Sequence, residues 1–304
     1  GDRSASNTTE RIDTTQRTPE PSVTRLHDRV VPRLRPEIDS ERGRGLTLPE
    51  GPNREEVRDQ GRTYHPRGSE VDLLERAAQY RVTFTDDLKQ DAGDSSRFKD
   101  DLRSLKEQGL IEERTVTRLR ERRVADVVSV TRDGKALLDH HRDPERSSEQ
   151  VYYSGWVKPG EVWHDASPLR MVRQVETELE QQGSRVERVV LDDELKGVAY
   201  RAFQEARSNG EPDRYARLAV AEAQGLHVHR DHLVFPDVRL EVQDRDGTER
   251  TVDLELVTKD YHRGHLSGKA GAGFRMFSSG SGGSRGRTPK DQQHVERVLP
   301  CSAP

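Results

Sequence analysis

In the C-terminal half, apolar residues fall on every second position in two short runs. Val238, Leu240 and Val242 alternate with Asp237, Arg239 and Glu241, and Val252, Leu254 and Leu256 alternate with Asp253 and Glu255. A period of two is that of a strand with one buried face. The runs, taken as 233–242 and 251–257, flank Asp246-Gly247, so they predict a β-hairpin whose glycine supplies the positive φ of a tight turn. The hairpin brings Asp237 and Glu255 together on the face opposite the apolar residues. Lys259 or Lys269 arrives just afterwards.

Upstream the period changes to that of helices. In 69–80 Val71, Leu74, Ala77 and Ala78 share one face behind Ser69 as a candidate N-cap, and a short helix follows from Thr85 to Gly93. The next stretch turns Phe98, Leu102 and Leu105 inward and stops at Gly109. Two β-prone runs with a basic tip come next, LIEERTVTRL and RRVADVVSV, and TRDGKALLDHH closes the region as a helix. Three helices, a ribbon and a return helix are the order of a winged helix-turn-helix, expected over 68–142. After the polar bridge HRDPERSSEQ, a second α/β domain is expected over 150–278. Its first segment, VYYSGWVKPGEVWHD, holds both tryptophans and is expected to pack the domain edge. A helix follows with Leu169, Val172, Val175 and Leu179 inward, then a strand through VERVVLDD and two further helices. Residues 1–67 show no lasting period and read as a disordered arm, and 279–304 as a flexible tail. The fold class is therefore α+β or α/β, with two small domains and loose ends.

Composition sharpens this picture. Of 304 residues, 30% are hydrophobic and 35% charged, and mean hydropathy is −0.99, too polar for a chain folded throughout. The net charge of −4 masks local asymmetry. The third helix exposes Arg97, Lys99, Arg103 and Lys106, and the ribbon carries Arg114, Arg118, Arg120, Arg122 and Arg123. A helix for the major groove with a basic wing for the backbone makes double-stranded DNA the expected partner. A single cysteine, Cys301, excludes an internal disulfide and fits a reducing cytoplasm. No apolar run approaches the ~18 residues of a membrane span.

Two carboxylates and a lysine on one sheet face suit a hard-cation phosphodiesterase site, with the acids holding Mg²⁺ or Mn²⁺ through oxygen. The ordered series LDDELK, FPDVRLE, DLELVTKDY and KAGAGF, preceded by the winged-helix pattern, resembles the replication-relaxation family of plasmids and conjugative elements. The C-terminal part of that family is similar to PD-(D/E)XK nucleases. The resemblance implies catalytic roles for Asp237, Glu255, Lys269 and Glu194, with Asp237, Glu255 and Glu194 as metal ligands. It also implies replication or relaxosome proteins as partners, no membrane, and leaves a homodimer open. Val257 stands where the superfamily places its lysine, so Lys269 is taken as a migrated lysine and Lys259 as second choice. The expected function is a metal-dependent endonuclease or nickase that binds DNA; the alternative is a non-catalytic DNA-binding factor with a degenerate nuclease fold.

A competing pattern, His227-Val228-His229 with Tyr261, has the form of a nickase metal triplet and nucleophile, but Arg230-Asp231 interrupts the strand. His164-Asp165 is read as a coincidence of neighbours. No GxxxxGK[ST] loop is present, which leaves nucleotide hydrolysis unsupported.

Overall fold

A computed structural model describes residues 45–93, 95–118, 122–145, 149–257, 269 and 271–278. The folded chain starts earlier than composition suggests. Residues 45–67, read as part of the arm, bury Leu46 and Leu48 and form a hairpin of β1 (Val57–Asp59) and β2 (Arg62–Tyr64). Gln60 at φ 45° and Gly61 at φ 79° make its two-residue turn, and Val57 and Tyr64 join the main core. These apolar side chains are scattered among polar ones with no period, so the hydrophobic pattern gave no sign of them.

The following elements come in the expected order: α1 (Gly68–Ala78), β3 (Thr83–Phe84), α2 (Thr85–Asp91), α3 (Ser95–Glu107), β4 (Ile111–Arg118), β5 (Arg123–Val130) and α4 (Arg132–His140). They build a sheet of order β3-β5-β4 with the helices packed against it. Ser69 is not the cap of α1. The N-cap is Arg67, whose N–H donates to Glu70 Oε2 at 3.2 Å. Thr131 caps α4, its hydroxyl accepting from Gly134 N–H at 3.0 Å. Phe98, Leu102 and Leu105 face inward as their spacing predicts, and Gly109 ends the helix region at φ 73°.

The second half holds α5 (Val162–Asp165), α6 (Pro168–Gln181), β6 (Arg185–Leu191), α7 (Asp192–Ser208), α8 (Asp213–Ala223), the hairpin β7 (His227–His229) and β8 (His232–Val234), then β9 (Val238–Gln243), β10 (Glu249–Val257) and β11 (Arg275–Ser278). Its sheet runs β11-β10-β9-β6, with β10 and β11 parallel and the other pairs antiparallel. The run expected as one strand over 233–242 is split. Leu233 belongs to β8, and Phe235-Pro236-Asp237 separates it from β9, because proline cannot donate to a ladder. The β9–β10 turn is longer than a two-residue Asp-Gly turn: Gly247 N–H donates to Asp244 O and Asp244 N–H to Thr248 O, both at 2.8 Å, with Gly247 at φ 84°. A bulge between Val186 and Arg188 lets Val186, opposite Val242, and Val189, opposite Leu240, share one face despite their odd separation.

The apolar face of this sheet packs on α6, and its side chains belong to the same core as α1, α3 and α4. The two halves therefore share a core, and the segment after the polar bridge is wedged between them. Gln150, 3% exposed, accepts from Val189 N–H and donates to Val189 O, each at 2.9 Å, so its amide stands in for a strand along the edge of β6. Tyr153 N–H then donates to Ala78 O at 2.7 Å and Gly155 N–H to Val130 O at 2.8 Å. Trp156 and Trp163 pack on the β4–β5 ribbon rather than on the second half's outer edge. Gln150→Ala strands one buried donor and one buried acceptor, so it should cost about 2–3 kcal/mol in urea unfolding with an unchanged slope. A shared core also predicts one transition by fluorescence and circular dichroism.

Candidate functional site

Alternation along β9 and β10 sets the site. Leu254 pairs with Val238, so the next residue of one strand, Glu255, meets the preceding residue of the other, Asp237, at the end of the ladder. Their side chains share the polar face with Arg239 and Asp253. Asp237 Oδ2 accepts from Leu256 N–H at 2.8 Å, which fixes the carboxylate across the strand gap. Glu255 is 0% exposed, and Lys269 Nζ donates to its Oε1. Lys269 comes from the segment before β11, which lies alongside β10 and pairs Glu255 with Met276. Asp237, Glu255 and Lys269 thus converge from three segments. Lys259 and Tyr261 lie outside the described residues, as do His262 and His265.

Glu194 is placed differently. It sits in the first turn of α7, where acid suits the helix dipole, and it is bound by Arg188 of β6, which also reaches Glu241 at 3.3 Å. It pairs with a sheet arginine rather than joining the two strand acids, so its predicted metal role has no geometric support. Among the described residues no group of three or more His, Cys, Asp or Glu is arranged to hold a metal ion. The two acids that do meet, Asp237 and Glu255, are each already partnered, Asp237 by the Leu256 N–H and His164 and Glu255 by Lys269.

His164, read from the sequence as a chance neighbour of Asp165, joins the cluster. Its Nε2 lies 3.6 Å from Asp237 Oδ1 and its Nδ1 3.1 Å from Asp165 Oδ1. The hydrogen bond with Asp165, then that with Asp237, raises its pKa to about 10, so it carries a proton at neutral pH. For Asp237, burial pushes the pKa up, but His164, the Leu256 N–H and Lys269 outweigh it and hold the carboxyl below its ordinary value. Asp165 is held in turn by Arg81 at 3.0 Å, and Arg81 also binds Asp192 at 2.6 Å and Asp193 at 2.7 Å. Arg81 lies between α1 and β3, so the first half of the chain holds up one wall of the site. The spacing of His164-Asp165 gave no signal of this, because the partner Asp237 lies far along the chain.

The basic residues predicted for DNA divide into two groups. Arg97, Lys99, Arg103 and Lys106 are exposed along α3, with Arg103 3.3 Å from Asp100 and Lys106 2.7 Å from Glu113. On the ribbon, Arg114 lies over Trp156 at 4.2 Å and Arg123 over Trp163 at 5.0 Å, so these two brace the wedge segment. Arg118 and Arg122 stand at the strand ends next to the tip, and Arg120 lies outside the described residues. The His227-Val228-His229 triplet forms β7, and Arg230 at φ 46° with Asp231 at φ 62° turns it straight back into β8. No helix among the described residues is long and apolar enough to cross a membrane.

The His164 proton makes stability depend on pH. Its folded pKa is raised, so its contribution is complete below about pH 6.5 and is lost as pH rises toward 10. Asp237 is depressed, so its contribution is present above about pH 4 and lost in stronger acid. Urea unfolding of His164→Gln beside the original chain should show a deficit largest near pH 6 and vanishing near pH 10. Solvent screens this half-exposed pair, so the deficit should be only about 1–2 kcal/mol.

No family model matches this chain, and no curated protein or solved structure matches it.

Proposed function

We propose that this chain binds double-stranded DNA through a winged-helix first half and hydrolyses a phosphodiester at the Asp237–Glu255–Lys269 cluster of a PD-(D/E)XK-like second half. The observation that carries this reading is the meeting of an aspartate, a glutamate and a lysine from three segments at the end of two adjacent strands. The lysine is not on β10, where Val257 occupies the position two residues after Glu255, yet the segment before β11 returns an ammonium to the same carboxylate.

Asp237 and Glu255 would hold Mg²⁺ or Mn²⁺, which supplies Lewis-acid polarisation of the phosphoryl group and a more acidic bound water. Lys269 orients the attacking water or offsets charge that develops on the phosphate, and the protonated His164 offers a second cation beside Asp237. Arg81, through Asp165, keeps that imidazole in place. DNA docking falls to the exposed basic face of α3 and to Arg118 and Arg122 near the ribbon tip. A role in replication or mobilisation of a plasmid or conjugative element follows from the family resemblance, as do relaxosome or replication partners.

One observation favours the second reading, a non-catalytic DNA-binding factor. Glu255 is fully buried and bound to Lys269, and Asp237 is already matched by His164 and a backbone N–H, so the cluster is electrostatically satisfied without an ion. A cleavage assay separates the two. At least one of supercoiled, linear and single-stranded DNA, incubated with Mg²⁺ or Mn²⁺, should be cut by the original chain. Glu255→Gln should cut at least about 100-fold more slowly while binding duplex normally. Intact DNA with normal duplex binding would leave the non-catalytic reading in its place.

The docking surface has its own test. Arg118→Ala together with Arg122→Ala should weaken duplex binding and make the plot of log K against log salt shallower by up to about 2. An unchanged slope would move the contact away from the ribbon.

A further inference from the structure

The strongest unassigned feature lies on α7, next to the site. Asp192 N–H donates to Asp237 O at 3.2 Å, so this helix begins beside the candidate carboxylate. Asp192, Lys196 and Tyr200 are spaced four residues apart and form one row along the helix. Lys196 Nζ binds Asp192 at 2.6 Å, and the row carries Tyr200 about 12 Å from the start of the helix. Tyr200 is 56% exposed and Tyr215 on α8 67%, whereas Tyr80 and Tyr152 are buried. The Tyr200 ring leans on Phe235, with centroids 6.1 Å apart at 49°, and Phe235 stands two residues before Asp237.

Of these two exposed tyrosines, Tyr200 has a second ring behind it, Phe235. About one turn before Tyr200 on the helix is Gly197, where a Cβ would meet nothing within 4 Å, so the helix surface there is open. Arg201, the next residue along the helix after Tyr200, is also exposed. A flat apolar face flanked by Lys196 and Arg201 matches the pairing of π-surface and backbone charge in an unpaired nucleotide strand. A duplex keeps its bases stacked inside and offers such a ring nothing.

We propose that the Tyr200 face of α7, with Lys196 and Arg201 beside it, binds single-stranded DNA by stacking a base on Tyr200 and leads that strand to Asp237. The inference rests on the reading of Asp237–Glu255–Lys269 as the place where a strand is handled, and it names the substrate there as unpaired DNA. Duplex recognition stays with the first half. The chain then holds a duplex and a separated strand at once, as at a melted site.

The test is binding of a fluorescein-labelled oligothymidylate of roughly 16 nucleotides, and separately of a labelled duplex, by fluorescence anisotropy in EDTA. Tyr200→Ala should weaken oligothymidylate binding about 5- to 150-fold and leave duplex binding unchanged. Tyr200→Phe keeps the ring and should bind the single strand as the original chain does, which excludes a role for the hydroxyl alone. Equal oligothymidylate affinity of Tyr200→Ala and the original chain would overturn the inference, as would parallel loss of both ligands. Because EDTA removes cleavage, the two proposals fail separately. Tyr200-dependent binding without Mg²⁺-dependent cutting supports this inference and removes the hydrolytic reading.

Discussion

A buried carboxylate must have a cation or several donors beside it, and the polar face of the second sheet obeys that constraint residue by residue. Asp253 is matched by Arg239, with contacts of 2.7 and 2.9 Å, and the same guanidinium reaches the carbonyls of Gln224 and Gly225 at the end of α8. Glu194 is matched by Arg188, Glu255 by Lys269, and Asp237 by His164 and the Leu256 N–H. The apolar face of the same strands needs only close packing on α6. The two faces therefore have opposite logic: one is interchangeable hydrophobic volume, the other a set of specific pairs in which loss of one member leaves a charge buried alone.

That pairing extends across the chain and joins the halves. Arg81 binds Asp165, Asp192 and Asp193; Arg170 binds Asp87 through 2.9 and 3.0 Å contacts; and Arg76 joins Asp91 and Glu176. Arginine suits such places because its planar fork serves several carboxylates at once. With Gln150, Tyr153 and Gly155 hydrogen-bonded to one half or the other, the wedge leaves little freedom for independent motion. α3 and the Asp237–Glu255–Lys269 cluster would then keep a set separation.

The strand alternation of β9 and β10 was legible because a period of two sustained over several residues fits a half-buried strand and no helix. It located Asp237 and Glu255 correctly on one face. The helices of the first half were legible for the same reason, with Gly93 and Gly109 marking ends, although the cap expected at Ser69 stands at Arg67. The bulge at Glu187 was not, since an odd spacing of valines reads as a broken pattern rather than as an inserted residue. Lys269 was one of two candidates the sequence offered after the hairpin, and the family resemblance gave the reason to prefer it over Lys259. His164-Asp165 was visible only as a chance pair, because the partner that gives it meaning, Asp237, lies far along the chain, and Arg81 gave no sign at all, its partners Asp165, Asp192 and Asp193 being equally distant. Tyr200 sat inside an ordinary amphipathic helix, where only exposure, not sequence, separates it from a core tyrosine.

The balance of charge around Asp237 bears on how the cluster could admit an ion. Lys269 neutralises Glu255 and His164 neutralises Asp237, so an arriving dication adds charge to a cluster whose acids are already matched. The two cations differ in how they can yield. Lys269 is bound to a wholly buried oxygen, whereas His164 is half exposed and only 3.6 Å from its carboxylate, with Asp165 as a second anchor. Displacing the imidazolium costs less than displacing the ammonium, because the histidine keeps one partner and regains water while the lysine would lose its buried carboxylate. If the cluster takes an ion as proposed, the His164 side is the one that yields. Asp165 and Arg81 back the imidazole there, and the start of α7, which leads along its surface to Tyr200, lies against Asp237.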